Sequence, residues 1–448
     1  MLRLRPIPVV LAFGVACLAC VSYTAALAQS LPELYEAARG YDAAYQAARA
    51  QSEAAKFRAA QADARLLPNV GLTAGASRTE TSTPFPPSGA NDRRGLSTVQ
   101  GGVRATQPLY NPGYSVLIEQ SRRALDLSLA DLAIAEQDLI VRVAQAYFDV
   151  LAAQDSLTTA QANKRAISEQ LASAKRNFEV GTATITDTRE AQARFDLAGA
   201  QELAAENDLQ SKRIALDVVV GRSNVKPLAL LTPVALPAVA PADVNAWVSV
   251  GDEQHPGVRK ARLALEIAKL DTAKARADDG LTVDLAGSFG AARNSGSGAI
   301  PAAGNSFQGK LEVLLAMPLY SGGALQNRIK ETLALEEKSR NDFDAARRSV
   351  AQTTRVAYFG LQSLHAQVKA FEAAESSSQL ALEATQLGYK VGVRVNLDVL
   401  NAQTQLFTTK RDLAKARYDV VLNGLKLRQA SGQLQPDDVN AVDRLFRK

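Results

Sequence analysis

Thiols are scarce in this chain. Its 448 residues hold two cysteines, Cys17 and Cys20, both within the first twenty positions. Everything after them lacks the means for a disulfide or a cysteine-based metal site. Imidazoles are almost as rare, with only His255 and His365, and Trp247 is the single tryptophan. Long apolar runs are missing too, apart from one between about Val9 and Val21. That run follows Arg3 and Arg5 and precedes Ala26-Leu27-Ala28, so residues 1–28 read as a secretory signal and Gln29 as the expected mature start. A lipidated Cys20 is the weaker reading, because Cys17 stands where a Leu is expected. No later stretch approaches the ~20 apolar residues of a membrane helix. This excludes helical spans but leaves a β-barrel open.

Charge of one sign is also lacking. The formal net charge is +5, and two of those charges leave with Arg3 and Arg5. So mild and mixed a balance argues against nucleic acid as a partner. No nucleophile–base pairing, metal-spaced cluster or phosphate loop stands in the sequence, so neither an enzyme nor a cofactor is expected.

What is present is a duplication. "QPLYNPG" at 107–113 returns as "MPLYSGG" at 317–323, and "AYF" at 146–148 returns at 357–359. "FEVGTATITDTREAQ" at 178–192 returns as "YKVGVRVNLDVLNAQ" at 389–403. A period near 210 is too long for a solenoid unit and marks a doubled half-molecule. The expected division is a signal at 1–28, a first repeat at 29–221, a linker at 222–242, a second repeat at 243–432 and a tail at 433–448. Each half reads as a helix (31–65, 243–279), a strand pair, a very long helix (113–179, 323–390) and a last helix (187–220, 398–430).

The expected strands, 66–78, 97–109, 281–291 and 306–319, alternate with period two. Val70 and Leu72, Val99 and Val103, Leu285 and Phe289, and Leu311 and Val313 share apolar faces, opposite Arg104, Asp284, Lys310 and Glu312. Such a pattern fits a membrane strand facing a wet lumen, or a soluble sheet with one solvated face. Loops are expected at 79–96 and 294–305. Four strands cannot close a barrel, so the chain must oligomerise or leave edges exposed. The long helices, about 67 residues each, would span roughly 100 Å, twice the span of the flanking helices. Their alanine-rich faces favour close side-by-side packing.

The duplication, the strand pairs, the "QPLY"/"MPLY" junctions and the two "VG…D…AQ" breaks together resemble the TolC family of outer-membrane efflux and secretion channels, over about residues 30–432. The resemblance implies a mainly α fold with a membrane β-barrel portion. Three protomers, each giving four strands, would form a 12-stranded β-barrel continued by a long-helix α-barrel in the periplasm. It implies passive export of small molecules or polypeptides through the cell outer membrane, contacting outer-membrane lipid. A periplasmic adaptor (membrane fusion) protein and an inner-membrane ABC or RND-type transporter would be its partners. A periplasmic adaptor or structural coiled-coil protein would explain the helices but not the paired strands.

The two breaks would form the periplasmic tip. Gly181 and Gly392 suit left-handed helix ends. Asp187 and Asp398 lie where the returning helices should begin, as N-caps, with Asp187-x-x-Glu190 resembling a capping box. By resemblance, Tyr389, Arg394 and Asp398 form a periplasmic gate, with Thr186 and Asp187 as partners. Asn401 stands where the family pattern has a second acid. Arg104, Asp284, Lys310 and Glu312 would face the barrel lumen. Tyr110 and Tyr320 fit either membrane-interface belts or packing at strand ends.

Overall fold

The computed structural model describes residues 29–84, 91–229, 236–297 and 304–445. The signal reading at 1–28, with Cys17 and Cys20, lies outside the described residues. In chain order the first half comprises α1 (Leu31–Tyr41), α2 (Ala43–Asp63), β1 (Asn69–Pro84), β2 (Asn91–Tyr110), α3 (Pro112–Glu179) and α4 (Ile185–Val220). The second repeats the order with α5 (Val244–Gln254), α6 (Pro256–Ala277), β3 (Thr282–Ser297), β4 (Gly304–Ala316), α7 (Ala324–Lys390) and α8 (Asn396–Ala430), followed by α9 (Pro436–Asp443). No described helix is long and apolar enough to cross a membrane.

Two expectations are corrected. Each half begins with two helices, not one. Asp42 takes an extended conformation (φ −60°, ψ 118°) and its carboxylate accepts from the Tyr45 N–H at 2.8 Å, capping α2. His255 is likewise extended, and its Nδ1 accepts from the Gly257 N–H at 3.0 Å ahead of Pro256, the first residue of α6. Side chains able to cap, helped after His255 by Pro256, restart a helix that periodicity alone would run on. Second, β1, β2 and β3 are longer than expected and run into the stretches read as loops, while β4 starts two residues early and ends at Ala316 instead of 319. β1 pairs with β2 out to Pro84 opposite Asn91, and β3 pairs with β4 to Asn294 opposite Gly304. Alternating Thr79, Thr81 and Thr83 keep the extended conformation going because the cross-strand ladder is there to receive it.

The four strands form one antiparallel sheet in the order β1-β2-β3-β4, so the two halves join through β2 and β3. α6 packs against both α3 and α7, and farther along the same two long helices α8 does so. α2 and α4 flank α3 in the same way. The short helices therefore succeed one another along the long ones, as their lengths predict.

The main core lies where these elements change over. Leu31, Leu34, Leu139, Tyr147 and Leu216 are fully buried there, together with α8 residues such as Leu425 and with Val439 of α9. The connection between the halves is held by hydrogen bonds to this core through Tyr147 and to a second cluster through Trp247. The Tyr147 hydroxyl bonds both the N–H and the carbonyl of Leu228, and Trp247 Nε1 donates to the Pro241 carbonyl at 2.9 Å. In the interface of α3 and α8 the Tyr418 hydroxyl donates to Asp155 at 2.6 Å, and burial raises the Asp155 carboxyl above its ordinary value.

Candidate functional site: the helical tip and the strand sheet

The sheet has one wet face and one dry face. Leu72 stands opposite Val103, Val103 opposite Phe289, Leu285 opposite Val313, and Val283 opposite Leu315. These apolar side chains are uncovered: Leu72 is 79% exposed, Leu311 78% and Phe289 64%. A continuous apolar face of this kind needs a partner other than water. The row from Val283 to Ala291 runs about 27 Å along its strand. Tilted, that approaches the ~25 Å apolar band of an outer-membrane barrel. Arg78 and Arg293 are the next residues on the same face and end the band.

On the opposite face Arg104 and Lys310 lie in one cross-strand row through Ser288, next to Glu312. Glu312 ion-pairs with Arg104 at 4.0 Å and with Lys310 directly. Asp284 shares this face, opposite Leu314 and near the start of β3. The four residues expected to face a lumen thus share one face, and three of them form a charge cluster.

The tip is built by two matching helix reversals. At the end of α3 the Gly181 N–H donates to the Phe178 carbonyl at 3.0 Å and the Thr182 N–H to Asn177 at 2.8 Å. At the end of α7 the Gly392 N–H donates to Tyr389 at 3.1 Å and the Val393 N–H to Gly388 at 2.9 Å. This double bond pattern requires a left-handed residue after the helix. Gly181 and Gly392 supply it, with φ of +77° and +79°.

The returning helices are capped differently from expectation. Thr184, not Asp187, is the N-cap of α4, and its hydroxyl accepts from the Asp187 N–H at 3.2 Å. Asp187 is the third helical residue and closes the box by accepting from the Thr184 N–H at 2.9 Å, so Glu190 plays no part in it. Val395 is the N-cap of α8 and offers no side-chain acceptor. Asp398 sits in the first turn, where a carboxylate suits the positive end of the helix dipole. The break needs several residues to turn, and the short Gly-to-cap loop starts each helix two residues early.

Within one protomer the expected gate residues are brought together as follows. Arg394 ion-pairs with Asp398 at 3.5 Å in its own hairpin. The Tyr389 hydroxyl accepts from Asn177 Nδ2 at 3.1 Å, across the two hairpins. Asn401 Oδ1 accepts from Arg194 at 2.9 Å, again across them. Thr186 is exposed, and the Asp187 side chain is occupied by its own cap. The hydrogen bonds of the described residues do not join Thr186 or the Asp187 carboxylate to Tyr389 or Arg394. Sequence reasoning missed four residues at the tip: Asn177, Arg194, Gln170 and Asn396. Asn396 is 1% exposed; its Oδ1 accepts from Gln170 Nε2, and its Nδ2 donates to the Asp187 carbonyl at 3.4 Å. Their partners lie more than 200 residues away in sequence, so no local pattern pointed to them.

A doubled chain with paired long-helix hairpins and a small sheet, dry on one face, is the protomer architecture of outer-membrane channels. The family model described as "Outer membrane efflux protein" matches residues 34–222 and 247–433, and the chain belongs to that family. It is 32% identical to outer membrane protein TolC of Vibrio cholerae serotype O1, with 94% of each chain covered. It is 30% identical to TolC of Escherichia coli K12, covering 94% of this chain and 86% of that one. Alkaline protease secretion protein AprF of Pseudomonas aeruginosa is 29% identical, over 94% of this chain and 88% of AprF. Among solved structures, the outer membrane protein VceC from Vibrio cholerae superposes with a TM-score of 0.75 at 18% identity, covering 90% of this chain and 96% of that one. The Campylobacter jejuni CmeC outer membrane channel does so with 0.76 at 15% identity, covering 93% and 89%. The protein is an outer-membrane export channel that reaches into the periplasm.

Proposed function

We propose that three copies of this chain assemble into a passive conduit for small molecules or polypeptides, gated at its periplasmic tip. One observation carries the reading: β1 and β4 are both unpaired edges of a sheet whose outward face is bare and apolar. In a four-stranded antiparallel sheet these edges run in opposite directions. The β4 of one copy can therefore continue the ladder onto the β1 of the next without breaking the antiparallel pattern. Three copies close a 12-stranded barrel and remove the edges altogether. The helical layer closes in parallel, with α3, α7 and the successive short helices as staves.

Residues 29–221 and 243–432 act as equivalent halves of each protomer, with 222–229, 236–242 and 433–445 packed around the middle of the helical layer. The tip holds Tyr389, Arg394 and Asp398 near the axis, with Thr186 and Asp187 of an adjoining copy as their partners there. Passage is driven from outside the conduit by an inner-membrane ABC or RND-type transporter joined through a periplasmic adaptor. The names of relatives include both protease secretion and efflux proteins, so both cargo classes stay within the proposal.

Fractionation tests the assembly. The expressed protein is expected in the outer membrane, running as a heat-modifiable trimer in detergent. A soluble monomer in the periplasmic fraction would instead favour a helical adaptor.

A further inference from the structure

The contacts that join the two hairpins at the tip differ in how much water they see. Arg394 and Asp398 are exposed, with side chains 61% and 37% accessible, and they belong to one hairpin. The Arg194–Asn401 contact is exposed as well. Exposed polar pairs of this kind contribute little and weaken further with salt. Asn396 is different. It is 1% exposed, lies at the first position of α8, and spends both ends of its amide on the other hairpin. Its Oδ1 accepts a hydrogen bond from Gln170 Nε2 on α3, and its Nδ2 donates one to the main-chain carbonyl of Asp187 on α4. Around it Leu400, packed with Ile167, Leu171, Ala174 and Ala191, keeps water out. A polar group so enclosed has no solvent partner to fall back on, so parting the hairpins breaks bonds that nothing replaces.

We infer that Asn396 is a positioning residue for gating: a buried intramolecular pin that holds the α7–α8 hairpin against the α3–α4 hairpin and so sets how readily the tip opens. The inference rests on the reading of the tip as the gate. Val395 sharpens the assignment. The N-cap of α8 has no side-chain acceptor, so the start of this helix is held by Asn396 reaching across to its neighbour. Because the pin is dry, its contribution is insensitive to salt, unlike that of Arg394.

The test is planar-bilayer recording of the purified oligomer at low and high potassium chloride. The proteins compared are the unsubstituted chain, Asn396→Leu, Gln170→Leu, Asn396→Asp, and the double variants Asn396→Leu/Gln170→Leu and Tyr389→Phe/Arg394→Ser. Asn396→Leu is expected to raise the open-to-closed ratio about 25-fold, roughly fivefold for each of the two hydrogen bonds lost, at both salt concentrations. Asn396→Asp keeps the acceptor for Gln170 but cannot donate to Asp187, and is expected to raise the ratio about fivefold, less than Asn396→Leu does. Gln170→Leu in the Asn396→Leu background should add nothing further.

If Tyr389→Phe/Arg394→Ser opens the channel and neither Asn396 nor Gln170 variants do, the pin is wrong and the gate stands. If none of them changes conductance, the tip is not the gate and the pin falls with it. Failure of both Asn396→Leu and Gln170→Leu to assemble also overturns it, because a pin on closure is dispensable for trimer formation.

Discussion

Arg194 of α4 reaches across to Asn401 of α8, donating from a guanidinium nitrogen to Oδ1 at 2.9 Å. By the family resemblance, Asn401 stands where the second tip would carry a further acid, so on the gate reading that hairpin brings Asp398 alone to the constriction. A ring of carboxylates at a narrow mouth concentrates negative potential and favours cations. One such ring leaves a modest cation preference, measurable as reversal potential across a salt gradient. Asn401→Asp adds three charges to the trimer but sets each against Arg194. A small rise in cation preference is therefore expected, and a larger one when Arg194→Gln accompanies it. Anion preference in the unsubstituted channel contradicts this account of the tip.

Gly392 turns the second reversal at φ +79°, and an added Cβ would meet nothing within 4 Å. Its replacement by alanine therefore costs only the left-handed conformation, about 1–2 kcal/mol, with no steric clash. Gly392→Ala is expected to assemble normally in the membrane while speeding amide exchange in residues 388–396. Unchanged exchange there would show that the reversal does not need its left-handed glycine.

His255 links a helix start to pH. Burial lowers its pKa from the ordinary 6.5, and its neutral Nδ1 accepts from the Gly257 N–H. Protonation removes that acceptor. A base whose folded pKa is depressed contributes stability that is complete above its unfolded pKa and is lost as pH falls below about 6.5. His365 is depressed in the same sense, chiefly by burial, so the two must be separated by substitution. His255→Asn supplies a neutral cap. Its trimer-dissociation temperature is expected to fall less between pH 7 and pH 5 than that of the unsubstituted protein. An identical fall in both would place the acid sensitivity elsewhere.

Much of this architecture is written in the chain. The ends of α3 and α7 follow from apolar periodicity running into Val180-Gly181 and Val391-Gly392. The alternation of Val70, Leu72 and Phe289 against Arg104 and Lys310 places the two faces of the sheet correctly. What stayed hidden is what tertiary neighbours decide. Asp42 and His255 become caps only because the chain there bends to fit the core beside Tyr45 and Trp247. β1 and β2 outrun their apolar alternation because each supplies the other's hydrogen bonds. At the candidate site the reversals and the acids in the first helical turns were legible from glycine spacing. Asn396 and Gln170 were not, because their roles arise from a hairpin pairing 226 residues apart.

The central claim is that these hairpins close a channel, and single-channel conductance in planar bilayers tests it most directly. Tyr389→Phe combined with Arg394→Ser removes the Tyr389 hydroxyl that accepts from Asn177 and the Arg394 ion pair. The predicted result is small, closed-state conductance for the unsubstituted trimer and a severalfold larger, longer-lived conductance for the double variant. Identical conductance in the two proteins, or none from either, contradicts a gate at this tip.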